Sequence, residues 1–260
     1  MSSVPGLERG LNILSLFHRS RAEIGPSEMA RELGIPRSTV HRLVMTLETM
    51  GFLRRVTANA YALGPSVLTI GFEYLGSLDI VELSNPVLAR LRDETECSVH
   101  LAIRAGTEVV YLSRHASHAA ITSNVSVGSS LPAHATVIGR VILADLAPAE
   151  LKALFAGKKL EPYTDQTPTS LAALEKLLEE DRRRGYAIST SFYERGVTSL
   201  AAPVRDASGK VVASINAVSV DAASEAQILR TGLKDKVLAA AASISSLLGA
   251  QAPRRQRFGT

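Results

Sequence analysis

Several residue types that mark particular classes of protein are scarce or missing in this 260-residue chain. It has no tryptophan, aromatic residues make up only 5% of it, and its single cysteine is Cys97. One cysteine cannot form an internal disulfide or a cysteine-based metal cluster. No apolar run is long enough to span a bilayer, and the first residues lack the basic start and apolar core of a signal peptide. We therefore expect a cytoplasmic protein.

Sequence motifs of the common enzyme classes are also missing. There is no G-x-S-x-G elbow, no Walker A loop and no G-x-G-x-x-G after a predicted strand. His115 and His118 lie three residues apart, but no third metal ligand has a suitable spacing. Cys97 alternates with Val99 and Leu101, which favours a packed thiol over a nucleophile. We expect no enzyme, no cofactor and no metal site, with an enzyme of unknown reaction as the alternative.

The composition is that of a globular protein with one large or two ordinary domains. Hydrophobic residues make up 46% of the chain and charged residues 21%. The net charge of +4 is unevenly spread, because residues 1–66 carry +3, the last ten residues +3 and the remainder −2. A basic N-terminal segment fits a site that binds a polyanion, although ordinary variation in surface charge would look the same.

The first 64 residues have the pattern of a DNA-binding motif. After a helical segment at 6–18, SEMARELG predicts a helix that ends at Gly34, and a second helix follows at about 36–50. Apolar residues at i, i+3, i+4 and i+7 give the second helix a buried stripe, namely Val40, Leu43, Val44 and Leu47. Such a helix pair is typical of a helix-turn-helix. A helical hairpin that binds another protein is the alternative.

With that stripe buried, the second helix presents a polar face to solvent. The residues placed to contact bases or nearby phosphates are Arg37, Ser38, Thr39, His41, Arg42 and Thr46. After Gly51, two short strands around Thr57-Ala58-Asn59 predict a hairpin wing. Its Arg54 and Arg55 are expected to anchor phosphates, which positions the protein without specifying sequence.

A predicted helix at 65–79 is apolar around most of its circumference. A helix of this kind needs partners on two sides, so we interpret it as a linker that also packs against a second subunit. The segment 80–250 then shows the order β-β-β-α-α-α-β-β-β-α, with a third strand near 120–127, a helix at 134–146 and a last helix at 223–248. This order predicts an antiparallel sheet covered by helices, an α+β domain. Residues 251–260 are expected to form a disordered basic tail.

Motifs along nearly the whole chain resemble those of the IclR family of bacterial regulators. They are GLERGLNILSLF, STVHRLVMTLETMGFL and YALG in the first part, and LPAHATVIGRVILA and RGYAISTSFYERGVTSLAAPVRDASGKVVASINAVS in the second. The resemblance implies a winged helix-turn-helix at 1–64 and a GAF-like effector-binding domain at 80–250. It also implies operator DNA and a homo-oligomer as partners. Within the family, ALGPSVLTIGFEYLGS and VSVGSSLPAHATVIGR are most similar to regulators of protocatechuate and β-ketoadipate catabolism.

The start of the 134–146 helix suggests a site for a small organic acid. Free N–H groups at a helix N-terminus attract a carboxylate, and the small residues Ala133, Ala135 and Thr136 leave room for one. His134 at the helix start is expected to cap the helix or to contact the ligand. Neutral hydrogen-bond partners on the opposing strands are Ser189, Ser199 and Asn216, with satisfaction of strand ends as their alternative role. The resemblance places the effector contacts in this region and on the late strands, at Ser123, Val137, Ile138, Ser189, Val197, Ser199 and Asn216. Members that bind glyoxylate-like acids have small residues at 137 and 138 and an acidic residue at 189, so this chain is not expected to bind glyoxylate, and a larger or aromatic acid is permitted. A DNA-binding protein whose second domain only oligomerises remains the alternative.

Overall fold

The helical repeats of the N-terminal segment form three helices and a hairpin. A computed structural model describes residues 4–18, 20–117, 125–219, 229 and 232–250, and the chain divides into two compact units, Met1–Leu78 and Asp79–Thr260. The elements of the first unit are α1 (Pro5–Ser15), α2 (Pro26–Leu33), α3 (Arg37–Thr49), β1 (Leu53–Thr57), β2 (Ala60–Leu63) and α4 (Ser66–Gly76).

The core of the first unit is built from one face of each helix and from the wing. It contains Ile13, Phe17, Ile24, Met29, Ala30, Val40, Val44, Leu53 and Tyr61, with Leu43 and Leu47 packed against it. The predicted stripe of α3 is therefore confirmed. Gly34 ends α2 in the left-handed region, with φ at +63°, a conformation that costs glycine little. This sharp stop lets the chain turn directly into α3.

The wing is fixed to the rest of the first unit by backbone hydrogen bonds. β1 and β2 pair antiparallel across the turn at 58–59, as predicted. Ile24 and Tyr61 exchange two backbone hydrogen bonds of 2.9 and 3.0 Å, which adds a third extended segment to the hairpin. The wing is therefore anchored to the rest of the first unit through β2.

The second unit contains a six-stranded sheet and its covering helices. Its elements are α5 (Asp79–Thr95), β3 (Ser98–Ala105), β4 (Glu108–His115), β5 (Ser130–Pro132), a 3₁₀ turn (Ala133–Ala135), α6 (Val137–Leu143), α7 (Pro148–Leu154), α8 (Leu171–Arg184), β6 (Ala187–Thr190), β7 (Thr198–Arg205), β8 (Val211–Ser219) and α9 (Leu233–Leu247). The strand order is β5-β4-β3-β8-β7-β6, and every pair is antiparallel. The predicted α+β class is confirmed.

Both faces of this sheet are covered. Helix α6 contacts five of the six strands and packs with Ala102, Ala187 and Ala201 in one apolar cluster. Neighbouring residues on the same strands, such as Leu200 and Ile215, are fully buried on the opposite face. Helices α5 and α9 contact each other and the sheet, and cover that second face.

One predicted element of the second unit has different boundaries, and two others lie partly outside the described residues. The predicted helix at 134–146 is split into the 3₁₀ turn and α6, because Thr136 between them is extended. Of the predicted helix at 223–248, α9 covers Leu233–Leu247 after Gly232, which has φ at +75°, and residues 220–228, 230 and 231 lie outside the described part of the chain. Of the strand expected near 120–127, residues 118–124 lie outside the described part of the chain, and the next strand is β5.

Candidate functional site

Helix α3 presents a polar, solvent-exposed face at its N-terminal end. Arg37, Ser38, His41, Arg42 and Thr46 are exposed and Thr39 is half-buried. The hydroxyl of Thr46 donates to the carbonyl of Arg42 at 3.0 Å, so its oxygen keeps the capacity to accept. The residues predicted to read DNA thus lie together on one outward face, with the buried stripe of α3 behind them.

The two arginines of the wing have different environments. Arg54 and Arg55 are both exposed on β1. The Arg55 guanidinium donates to the carboxylate of Glu48 on α3 at 3.2 and 3.3 Å and lies 4.9 Å from the centre of the Tyr61 ring. The Glu48 carboxylate raises the pKa of Arg55 above its usual value. Arg55 therefore connects the wing to α3, whereas Arg54, the preceding residue of the strand, lies on the alternate face.

Helix α6, the first element of the candidate effector site, is buried and joined to its neighbours by an ion pair. All of its residues are buried. Arg140 donates two hydrogen bonds to the Asp181 carboxylate of α8, at 2.6 and 2.8 Å, and its guanidinium lies 4.7 Å from the centre of the Phe192 ring. One buried ion pair thus ties α6 to α8 and to the segment after β6.

The N-terminus of α6, predicted to bind a carboxylate, is partly capped within the protein. Thr136 is the N-cap, and its hydroxyl oxygen accepts from the backbone N–H of Gly139 at 3.2 Å. One of the first N–H groups of the helix is therefore already satisfied within the protein. Val137 and Ile138, in the first turn, are buried in the cluster beneath α6.

The strands beneath α6 bring three of the predicted effector residues side by side. Ser189 of β6 is paired with Ser199 of β7, and the Asn216 amide of β8 donates to the Ser199 hydroxyl at 3.0 Å. We call Ser189, Ser199 and Asn216 the serine–asparagine row. The register of the three strands places it on the α6 face, together with Ala187 and Ala201. The Ser189 hydroxyl is buried without a hydrogen-bond partner in the described structure.

The remaining predicted effector residues occupy separate positions. The His134 ring hydrogen-bonds to the carbonyl of Glu161 at 3.1 Å, and burial lowers its pKa. Val197 is half-buried, and its carbonyl accepts from Ser191 N–H at 2.8 Å in the loop between β6 and β7. Ser123 lies outside the described residues.

Sequence reasoning missed two buried polar residues on the same face, His100 of β3 and Tyr111 of β4. The Nδ1 atom of His100 is 2.9 Å from Asn216 Oδ1, and its ring meets Tyr111 edge-on, with 5.5 Å between centroids. The alternation in β3 correctly predicts Val99 and Leu101 as buried, but His100 and Ala102 on the other face are buried as well. The sequence of α6 (VIGRVIL), apolar except for Arg140, was the available signal, since such a helix has to pack on more than one side.

Other sequence features have ordinary surroundings. Cys97 precedes β3 and is partly exposed, so the packed position that alternation suggested is wrong. His115 contacts Ser113 and Asn85, and its sequence neighbour His118 lies outside the described residues. Within the part of the chain that the structure describes, no helix is long and apolar enough to cross a membrane.

Two family profiles together match most of the chain. The IclR helix-turn-helix domain matches residues 6–57, and the bacterial transcriptional regulator IclR C-terminal domain matches residues 72–246. The first match contains α3 and the wing up to residue 57, and the second contains the whole sheet with α6.

Individual relatives agree with these matches. The HTH-type transcriptional regulator XynR of Escherichia coli is 33% identical, over 83% of this chain and 86% of its own length. The Pca regulon regulatory protein of Pseudomonas putida is 30% identical, over 81% of this chain and 72% of its own length. An IclR homologue from Microbacterium hydrocarbonoxydans, solved in complex with 4-hydroxybenzoate, is 27% identical with a TM-score of 0.78, covering 94% of this chain and 98% of its own. The chain belongs to the IclR family of DNA-binding bacterial transcriptional regulators.

Proposed function

We propose that this regulator binds its operator as a homo-oligomer and that a small organic acid, held beneath α6, changes that binding. The observation that carries the effector part is the serine–asparagine row, with an unsatisfied Ser189 hydroxyl buried under an apolar helix. A few polar groups in an otherwise apolar site are typical of small-ligand recognition. The M. hydrocarbonoxydans homologue, bound to 4-hydroxybenzoate, supports an aromatic acid.

The proposed effector contacts combine the first turns around α6 with the late strands. They are Ser123, His134, Thr136, Val137, Ile138, Ser189, Val197, Ser199 and Asn216. Because Thr136 already caps α6, we assign recognition of the carboxylate mainly to the serine hydroxyls of the row. A hydroxyl group aimed at a carboxylate makes a charge-assisted hydrogen bond, which is stronger than a neutral one.

Differential scanning fluorimetry with a panel of small carboxylic acids tests the effector part. We expect at least one acid to raise the melting temperature of the wild type, and Ser189→Ala to reduce that shift. Ser243→Ala, an exposed serine of α9, is the matched control and should keep it. If no acid stabilises the wild type, the second unit has no acid effector and serves oligomerisation alone.

For DNA, we propose that the exposed face of α3 reads bases and the wing contacts phosphates. The residues are Arg37, Ser38, Thr39, His41, Arg42 and Thr46 of α3, with Arg54 and Arg55 of the wing. An arginine paired with guanine contributes about 1–3 kcal/mol of discrimination, whereas a phosphate contact contributes mainly to affinity and to salt dependence. Arg54 is the better phosphate anchor of the two wing arginines, because Arg55 is paired with Glu48.

The two roles differ in a measurable way. Arg42→Ala should weaken binding to the operator far more than binding to random DNA in fluorescence anisotropy. Arg54→Ala should weaken both similarly and lower the slope of log K against log salt by about one. Equal losses of specificity in the two variants would contradict this assignment.

We further propose that α4 forms part of the contact between subunits. Four large apolar side chains of this short helix are 51–60% exposed, namely Leu68, Ile70, Phe72 and Tyr74, which is unfavourable unless a partner covers them. A dimer or dimer of dimers also suits operator recognition, since one recognition helix contacts few bases. In sedimentation velocity, Ile70→Glu should shift the protein toward monomer, and Leu247→Glu, at an exposed leucine of α9, should not.

The proposed role includes no catalysis. The protein would act in the cytoplasm, where bacterial DNA lies. A ligand can change operator binding only by its differential affinity for two arrangements of the protein. The effector should therefore bind the DNA-free and the DNA-bound protein with different affinities, in either direction. Identical affinities in isothermal titration calorimetry with and without operator DNA would refute coupling between the two sites.

A further inference from the structure

The serine–asparagine row continues into a fourth strand through His100. From Ser199 on β7, the hydrogen bonds run to the Asn216 amide on β8 and from Asn216 Oδ1 to His100 Nδ1 on β3, with lengths of 3.0 and 2.9 Å. His100 is paired directly with Asn216 in the sheet register. The chain of polar groups therefore crosses the sheet on the face that α6 covers.

The direction of these hydrogen bonds determines which nitrogen of His100 carries the proton. Asn216 uses its NH₂ group to donate to Ser199, so its carbonyl oxygen faces His100 and must accept. The Nδ1 atom of His100 is therefore protonated. Burial lowers the pKa of His100 to about 4, so the ring is neutral near pH 7 and its Nε2 atom is a bare acceptor.

Both ends of this polar chain have unused hydrogen-bonding capacity. His100 is 1% exposed, and its Nε2 atom is buried without a partner in the described structure, as is the Ser189 hydroxyl. The Ser199 oxygen accepts from Asn216 and still has its own proton to donate. One end thus offers two neighbouring hydroxyl donors, and the other end offers an acceptor.

The spacing between the ends matches a ligand of modest length. Ser199 and His100 lie two strands apart, on the order of 10 Å for neighbouring strands about 4.8 Å apart. A ligand that reaches both ends through hydrogen bonds of about 2.8 Å each would need a scaffold about as long as one six-membered ring. Asn216 lies between the two ends, Ala201 is beside it in the sheet, and Val137 and Ile138 of α6 belong to the apolar cluster on this face.

We propose that the effector is a hydroxylated carboxylic acid, with its carboxylate bound by Ser189 and Ser199 and its hydroxyl donating to His100 Nε2. This inference rests on the proposed effector function and adds the class of ligand and a specificity-determining residue. A carboxylate cannot bind at His100, because two acceptors would face each other. An acid without the hydroxyl leaves the buried Nε2 atom unsatisfied.

Isothermal titration calorimetry of the full chain with benzoate, 3-hydroxybenzoate and 4-hydroxybenzoate tests the inference. We expect one hydroxybenzoate to bind the wild type roughly ten- to hundredfold more tightly than benzoate, the usual effect of leaving a buried acceptor unpaired. In His100→Phe, which keeps a ring but removes the acceptor, that preference should disappear. Equal binding of benzoate and both hydroxybenzoates to the wild type, or a preference that persists in His100→Phe, would overturn the inference.

Two further outcomes separate this inference from the proposed function. If neither hydroxybenzoate binds but another carboxylic acid without a hydroxyl does, in a manner that Ser189→Ala weakens, the effector function stands and the hydroxyl inference is wrong. If no carboxylic acid binds, both are wrong.

A measurement on the wild type tests the inference even if His100→Phe does not fold. In ¹⁵N-edited NMR of histidine-labelled protein, His100 should show a protonated Nδ1 and an unprotonated Nε2 at neutral pH. The opposite tautomer would make Nε2 a donor and would refute the proposed selectivity, even if hydroxybenzoates bind.

Discussion

The buried ion pair between Arg140 and Asp181 offers the sharpest test of how α6 is held in place. Arg140 is 3% exposed and Asp181 is 2% exposed, and the guanidinium and carboxylate meet through two hydrogen bonds. The ring of Phe192 lies against the guanidinium. In Arg140→Met, a side chain of similar length fills the space, but the Asp181 carboxylate loses both donors.

The expected cost of Arg140→Met is about 3–5 kcal/mol in free energy of unfolding, because a buried charge is left without its partner. In the double variant Arg140→Met with Asp181→Leu, no buried charge remains. Replacement of a whole buried pair by apolar residues is often neutral, and the lost contact with Phe192 costs about 1 kcal/mol. The double variant should therefore be more stable than Arg140→Met alone.

Urea unfolding followed by far-UV circular dichroism measures these differences in a chain without tryptophan. The matched control is Arg184→Met, which breaks an i, i+4 pair with Glu180 on the exposed side of α8 and should cost less than about 1 kcal/mol. Two results would refute the reasoning: an Arg140→Met variant as mild as the control, or a double variant whose loss equals the sum of the two single losses.

Three further changes have defined outcomes. Because burial lowers the pKa of His100 to about 4, the unfolded chain binds more protons than the folded chain between pH 4 and about pH 6.5. This residue therefore adds roughly 2–3 kcal/mol to the free energy of unfolding as the pH rises from about 4.5 to 7. Urea unfolding of His100→Phe should lack that increment, and a pH dependence equal to that of the wild type would contradict the reasoning. Gly139→Ala would place a Cβ atom 2.3 Å from the carbonyl oxygen of Ala133 and should lower the free energy of unfolding by about 1–3 kcal/mol. The melting temperature measures this loss, and the control is Gly71→Ala, whose added Cβ meets nothing within 4 Å. Glu48→Gln should release Arg55 from its ion pair and steepen the salt dependence of DNA binding by up to about one, and an unchanged slope in fluorescence anisotropy would show that Arg55 does not reach a phosphate.

The N-terminal unit was largely predictable because its signals are local. A repeat of apolar residues, a glycine that ends α2 and a short wing all lie within a few residues of the contacts that they determine. Such patterns depend on the periodicity of one helix and not on distant parts of the chain. The pairing of Arg55 with Glu48 was missed, because it depends on the angle between wing and helix.

Element order in the second unit was also predictable, but the surroundings of its strands were not. Strict alternation in β3 suggests one buried and one exposed face, and the structure buries both. Only the second covering layer, α6, explains the burial of His100.

The residues that we assign to effector selectivity were the hardest to find from sequence. Ser199 and Asn216 were identified through the resemblance to relatives, but His100 precedes Asn216 by 116 residues and meets it only through the pairing of β3 with β8. A shift of that register by one residue would turn the histidine to the opposite face. Its role also depends on the orientation of the Asn216 amide, which makes Nε2 an acceptor. Asn216→Asp should therefore preserve this tautomer, since a carboxylate oxygen also accepts from Nδ1–H, while it removes the donor to Ser199. If selectivity resides in His100, Asn216→Asp should keep a preference for hydroxybenzoates over benzoate, even if it binds all three acids more weakly.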